Sequence, residues 1–558
     1  MTASKFVHPI NTPQRRLKTI CIGAGASGLY YAYKIQRHFA DFDLTVYEKN
    51  AGISGTWWEN RYPGCACDVP AHSYIYSFEP YPEWSSSYAS SKEIYGYFKH
   101  FADKYDLNKY IKLQHQVSAA TWDEQSATWT VQIKDIASGE IITDWCHILV
   151  NASGILNAWR YPPIPGLNSF KGKLLHTANW DESEDLTGKS VGLVGNGSSA
   201  IQVLPTILPV VSKLTTFIME PTWVSPPIGM EYKVYSDEDK KRFWEHPEEL
   251  LEIRRETENY LNGQFETFFR DSQQQLGARE FMRTEMTRKL GDPELAEKLI
   301  PSWSVGCRRI TPGRNYLESL TDPKVEVVFS MVSEVTEKGC KVLSGSEHEV
   351  DVLIMATGFD TSFKPRFPII GRNGESLAQV WEGNPQAYLG IAASGFPNYF
   401  VSLGPNCPIG NGPVLLSIEI EVNYMIDIIS RYQKENIKTF DVRADAVKEF
   451  NEHKDEFMNT TIWTDECKSW YKAGSSENKV TALWPGSTLH YREALAVPRY
   501  EDWNFTYYGN RFDYLGNGRS VAEAIVHDLN SHVTNEDTSK IDPALNYTAP
   551  EAKKDSVH

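Results

Sequence analysis

An α/β fold built on two copies of a strand–turn–helix–strand unit, with a helical insertion, is predicted by three features of the sequence. A β-branched run enters a glycine-rich turn, a helix and a second strand at Lys18, and the same order returns at Ser190. Between Asp237 and Ile300 there is no Val, and Glu, Lys, Arg, Leu, Gln and Phe dominate. The two repeats have the form of Rossmann-like dinucleotide-binding domains.

In the first unit Lys18-Thr-Ile-Cys-Ile22 reads as the strand, Gly23-Ala-Gly25-Ala-Ser-Gly28 as the turn, Leu29 to Phe39 as the helix, and Leu44-Thr-Val-Tyr-Glu48 as the return strand. Gly23, Gly25 and Gly28 let the backbone turn tightly and approach a pyrophosphate, which the helix N-terminus then meets with free N–H groups. Glu48 stands 25 residues beyond Gly23, where a carboxylate accepts ribose hydroxyls. In the second unit Ser190–Val194 feeds Gly195-Asn-Gly197-Ser198-Ser-Ala200. A helix from Ile201 to about Val211 and a strand Leu214–Ile218 follow, and Glu220 stands 25 residues beyond Gly195. Two such sites imply electron transfer between two cofactors, a nicotinamide and a flavin. An internal echo, His147-Ile-Leu-Val-Asn-Ala-Ser-Gly154 against Asp351-Val-Leu-Ile-Met-Ala-Thr-Gly358, reads as a closing strand and small-residue turn for each unit. Tyr161-Pro-Pro-Ile-Pro-Gly166 is a stiff linker. In the insertion Leu250, Leu251, Leu261, Phe265, Phe268 and Phe269 recur near helical spacing, as expected of helices lying over a cofactor cleft. The polar stretch from about His532 reads as a loose tail.

The net charge of −16 over 558 residues argues against nucleic acid and anionic membrane surfaces as partners. No apolar run reaches the roughly 18 residues of a membrane span. The N-terminal MTASKFVHPINTPQRR lacks an apolar secretory core, so a cytoplasmic location is expected. Eight scattered cysteines fit reduced thiols rather than a disulfide framework. Cys65 and Cys67 lack a matching second pair and read as structural, so no metal site is expected.

Gly55-Thr56-Trp57-Trp58-Glu-Asn60-Arg61-Tyr62-Pro63-Gly64 is a rigid aromatic segment leading to Asp68, which reads either as an exposed loop acid or as an active-site group. Arg308-Arg309, in Gly306-Cys-Arg-Arg-Ile-Thr-Pro-Gly313, reads either as a surface pair or as a guanidinium held over a cleft. Phe170-Lys-Gly172-Lys-Leu-Leu-His176-Thr-Ala-Asn-Trp180-Asp181 reads by periodicity as a loop with a histidine. It also fits the pattern FxGxxxHxxxW[P/D] at every fixed position, just before the second glycine turn, as in the type I Baeyer–Villiger monooxygenases.

The chain resembles that family from about Lys18 to about Asp502. The resemblance rests on both glycine turns, the GTW…NRYPG…CD segment, the His176 segment and the Cys307-Arg308-Arg309 loop. Ala356–Asp360, Gly395–Asn398 and Leu403–Asn406 follow in the family's order. Lys468-Ser-Trp470-Tyr and Trp484–His490 look like the C-terminal part of its fungal members.

The resemblance implies an FAD-binding domain at 1–155 and 390–530 and an NADP-binding domain at 156–225 and 305–389. The insertion then spans 226–304 and a flexible tail 531–558. Gly23, Gly25, Gly28 and Glu48 fall to the flavin, Gly195, Gly197, Ser198, Arg308 and Trp470 to the nicotinamide cofactor, and Thr56, Trp57, Asn60, Asp68 and Tyr74 to cofactor binding. The implied reaction reduces the flavin with NADPH, forms a C4a-peroxyflavin with O₂ and inserts one oxygen beside a ketone carbonyl to give an ester or lactone. Small ketones and O₂ are the partners, and no protein partner is implied. Arg309 matches the arginine that steadies negative oxygen, and Asp68 the acid that orients it. His176 matches a residue acting through linker position. The family's usual arginine for the NADPH 2′-phosphate is replaced by Met219, and Glu220 suits a ribose hydroxyl, so NAD stays open as a cofactor. The rival reading is an N- or S-oxygenating flavin monooxygenase, which shares both turns but lacks Trp180-Asp181 and the Asp68/Arg309 pair.

Overall fold

The computed structural model describes residues 6–408, 410–473, 475, 477–526, 529, 530 and 533, so the tail expected at 531–558 lies outside the described residues apart from Val533. The first unit forms as read. The strand Leu17–Ile22 passes through the glycine turn into the helix Ala26–His38 and returns as Phe42–Tyr47. These strands sit in a five-stranded parallel sheet ordered Tyr399–Val401, Ile148–Asn151, Leu17–Ile22, Phe42–Tyr47, Ile111–Lys112. The second unit repeats the plan: Ser190–Val194, the helix Ser198–Ile207 and Lys213–Phe217. Its parallel sheet runs Val325–Val328, Lys213–Phe217, Ser190–Val194, Val352–Met355, Lys173–His176. Ile148–Asn151 and Val352–Met355 are buried throughout, which is why both read as unbroken apolar runs rather than as alternating ones.

The echo between those strands has a steric counterpart. Gly23 adopts φ +100°, and a Cβ there would lie 2.7 Å from the Ala152 carbonyl oxygen. Gly195 adopts φ +111°, and its Cβ would lie 2.6 Å from that of Ala356. In each unit the glycine turn crosses the small-residue turn at a distance no side chain tolerates.

The insertion is helical, with Asp237–Glu245, Pro247–Gly263, Gln273–Leu290 and Pro293–Leu299, and a 3₁₀ turn at Phe265–Phe268. Leu250, Leu261 and Phe268 are buried, but Leu251 is 41% exposed and so lies off the packed face. Leu250 joins the core around the first sheet, whereas Met282, Met286, Leu290 and Leu299 join the core around the second. The insertion thus packs on both units. Among the described residues no helix is long and apolar enough to cross a membrane.

The helix Val414–Lys434 packs on Ala26–His38 and carries Glu421, which is fully buried. Its Oε2 accepts from Ser402 Oγ and the Leu403 N–H, both at 2.9 Å. Burial pushes its carboxyl up to about 8 from 4.5, against the lowering effect of these bonds. Folding therefore takes up a proton here, and the stability gained is full below the unfolded value and lost as pH rises through the folded one. Glu421→Gln cannot ionise, so calorimetry should show its Tm, relative to wild type, rising between about pH 5 and about pH 8. A difference constant over that range would refute the buried neutral carboxyl.

Candidate active site

Glu48, only 3% exposed, closes the first turn from the end of its strand. Its two oxygens accept the N–H groups of Ala24 and Asn50, both at 2.8 Å. Burial raises its pKa, opposed by these two backbone bonds. No described side chain caps the helix that starts at Gly25, and Gly25 faces Gly55 so closely that a Cβ on Gly55 would stand 3.3 Å from its Cα. Uncapped N–H groups, a bare glycine face and a buried carboxylate with lone pairs to spare fit the pyrophosphate and ribose of a dinucleotide. Thr56, Trp57 and Asn60 follow on and just after the short helix Thr56–Glu59. Asn60 Nδ2 donates to the Thr56 carbonyl at 2.9 Å, and Trp57 Nε1 donates to the Tyr74 hydroxyl at 3.1 Å.

Beside Tyr74 the two loops left open by the sequence meet. Arg309 Nε donates to Asp68 Oδ2 at 2.8 Å and Nη2 to Oδ1 at 3.1 Å, a bidentate pair between side chains 29% and 24% exposed. Burial opposes the Arg309 charge, but the Asp68 carboxylate more than offsets it, so the guanidinium is held above its ordinary pKa. Tyr471 adjoins the same guanidinium, and burial raises its hydroxyl. The pair joins residues 241 apart in the chain, at a place where Trp57 packs against the cores of both units. The arrangement presents one fixed cation beside an aromatic wall, Trp470 and Tyr471 standing 4.8 Å apart.

The His176 segment builds architecture. His176 ends the strand Lys173–His176, is fully buried, and stacks on Trp159 at 4.8 Å. Its Nδ1 accepts the Ala178 N–H at 3.0 Å, so Nε2 carries the proton and donates to Thr357 Oγ1 at 3.2 Å. Burial pushes its pKa down to about 4. Phe170 packs against the second sheet, and a Cβ on Gly172 would strike the Asp351 carbonyl oxygen at 2.3 Å. Trp180 is buried, and Asp181 pairs with Lys173 at 2.5 Å.

In the second turn no described side chain caps the helix starting at Gly197, which has open space before its Cα, and Ser198 Oγ meets Thr311 Oγ1 at 2.7 Å. Glu220 does not repeat Glu48. Its Oε2 lies 3.9 Å from Arg308 Nη1 and its Oε1 2.7 Å from Lys468 Nζ, while Met219 is 59% exposed. One cysteine expectation is corrected: Cys307 and Cys467 form a disulfide, with Cα atoms 6.3 Å apart. Chain topology brings together two cysteines 160 residues apart, which no local spacing reveals. Cys65 and Cys67 are buried free thiols. Lys468, Tyr471 and Thr357 stand among the site residues without a pattern in the sequence that marks them.

Two Rossmann-like units share one junction with a paired arginine at it, and the relatives that match this chain along most of its length place it in a class, the flavin monooxygenases. Residues 21–90 match the model of an NAD(P)-binding Rossmann-like domain. The FAD-binding monooxygenase stcW of Emericella nidulans is 38% identical over 520 residues, covering 91% of this chain and 86% of that protein. A Baeyer–Villiger monooxygenase of Streptomyces coelicolor is 34% identical, covering 85% and 90%. The structure of cyclohexanone monooxygenase from Rhodococcus sp. Phi1 bound to NADP+ superposes with a TM-score of 0.77 at 28% identity, covering 89% of this chain and all of that one. The chain belongs to the type I Baeyer–Villiger monooxygenases.

A neutral histidine wedged between Trp159 and Thr357 acts by packing. His176→Ala should cost about 2–4 kcal/mol of stability in chemical denaturation. A variant as stable as wild type would remove His176 from this architectural place.

Proposed function

We propose that the chain inserts one oxygen atom of O₂ beside the carbonyl of a small ketone, giving an ester or lactone, with FAD in the first unit and NADPH in the second. The Arg309–Asp68 pair carries this reading. FAD, once reduced by the nicotinamide, supplies activated oxygen in that site. Everything else asked of the protein is electrostatic and steric. Attack on a carbonyl gathers negative charge on oxygen, and a guanidinium already oriented by a bidentate carboxylate steadies it without reorganising. Asp68 holds that orientation and keeps the half-buried cation from losing solvent without a partner. Tyr74 and Tyr471 flank the cation, backed by Trp57 and Trp470, and limit its contact with water, which strengthens its field.

On the first unit the uncapped helix start at Gly25 receives the pyrophosphate and Glu48 the ribose. On the second the helix start at Gly197 and Arg308 receive the nicotinamide cofactor. N- or S-oxygenation transfers oxygen to a heteroatom lone pair and passes through no tetrahedral alkoxide on carbon, so the Arg309–Asp68 pair favours the ketone reading.

Arg309→Ala should retain bound flavin and its bleaching by NADPH, but lose ester formation by about 10²–10³-fold when products from a ketone panel are followed by mass spectrometry. Asp68→Asn keeps the shape and removes the charge, and should fall between the two. Ester formation by Arg309→Ala at the wild-type rate would sink the assignment.

A further inference from the structure

Met219, two residues beyond the strand Lys213–Phe217, offers no cation to a phosphate, yet two cations converge on the residue beside it. Arg308 approaches Glu220 Oε2 at 3.9 Å and donates to the Pro221 carbonyl at 3.4 Å. Lys468 reaches Glu220 Oε1 at 2.7 Å from the far C-terminal part of the chain. Asn196, in the glycine turn, donates through Nδ2 to the Glu220 backbone carbonyl at 2.6 Å, so the main chain that carries the carboxylate is tied to that turn.

We propose that Lys468 determines specificity for the 2′-phosphate of NADPH, acting with Arg308 in place of the cation that Met219 lacks, and that the Cys307–Cys467 disulfide positions both. This deepens the reading of the second unit given above and rests on it. Two cations and one carboxylate leave the site one positive charge in excess. A phosphate dianion uses both cations, and Lys468, whose side chain is 74% exposed, is free to turn from Glu220 to the phosphate. A ribose hydroxyl gains nothing from that movement, because the lysine does better with the carboxylate. Glu220 in this account parks the lysine at the site until the phosphate arrives.

The disulfide matters because Arg308 and Lys468 come from distant parts of the chain, and each follows a bridged cysteine directly. Their spacing is therefore fixed by a covalent link beside the site. The segment keeps further ties without that link: Arg270 Nε pairs with Asp465 Oδ1 at 3.2 Å, and Lys472 Nζ donates to the Cys467 carbonyl at 3.3 Å. A cysteine variant therefore loosens the segment rather than releasing it.

The test is calorimetric titration of the flavin-loaded enzyme with adenosine 2′,5′-bisphosphate and with 5′-AMP, flavin absorbance confirming that each variant is folded. Lys468→Ala should bind the bisphosphate about tenfold more weakly and 5′-AMP about as wild type, with the loss shrinking as salt rises. Lys468→Arg should restore most of the bisphosphate affinity. Cys467→Ser should weaken the bisphosphate selectively. Equal bisphosphate affinity in Lys468→Ala and wild type overturns the specificity role, and an unchanged Cys467→Ser overturns the positioning role. A wild-type enzyme that binds the bisphosphate no better than 5′-AMP overturns the NADPH reading itself, and the proposal with it.

Discussion

A guanidinium partly withdrawn from water is oriented most firmly by a carboxylate that meets it with two parallel hydrogen bonds, and the Asp68–Arg309 pair imposes that geometry on two loops 241 residues apart. The arginine loop is pressed into place. A Cβ on Gly306 would come 2.9 Å from the Phe268 ring, and one on Gly313 would come 2.1 Å from Val224 Cγ1. The Asp68 loop is held by Cys67 N–H donating to the Ala89 carbonyl and by the wall of Trp57 and Tyr74. Neither loop is free to carry its charge elsewhere. The proposed chemistry uses that immobility, since a cation that must reorganise as charge develops loses most of its advantage.

The two nucleotide units share a plan down to the backbone crossing of Gly23 with Ala152 and Gly195 with Ala356, yet they treat their acids differently. Glu48 is sealed by backbone N–H groups of its own unit, which suits a ligand that binds once and stays. Glu220 is met by two side-chain cations, one largely exposed, which suits a ligand that must come and go each turnover. Equal spacing in the sequence thus produced unequal sites, because the partners of Glu220 come from residues 308 and 468 rather than from its own turn.

Much of the framework was legible because it is local. Strand, glycine turn and helix follow one another within each unit, and the buried strands Ile148–Asn151 and Val352–Met355 announce themselves by composition. The ends of elements were less so: the first helix starts at Ala26, inside the turn, and Phe265–Phe268 is a 3₁₀ turn where helical spacing suggested more. Asp68 and Arg309 are each ambiguous from their neighbours alone; the motif resemblance implies that they act as a pair, and the structure brings them into contact. The cysteine bridge and the Lys468–Glu220 pair stayed hidden, since both depend on the path of the C-terminal segment across the second unit.

Arg308 and Arg309 show how little separates the two kinds of work. They are adjacent in one loop, yet Arg309 turns to Asp68 of the first unit and Arg308 to Glu220 and Pro221 of the second. A single backbone thus stands between the first unit and the second and gives each one cation. The bidentate pair fixes the first; a longer and looser contact leaves the second able to yield to a phosphate. Rigidity belongs where charge must be met without delay, and compliance where a ligand must enter and depart. Anchoring the loop through Cys307, immediately before both arginines, lets one constraint serve both purposes.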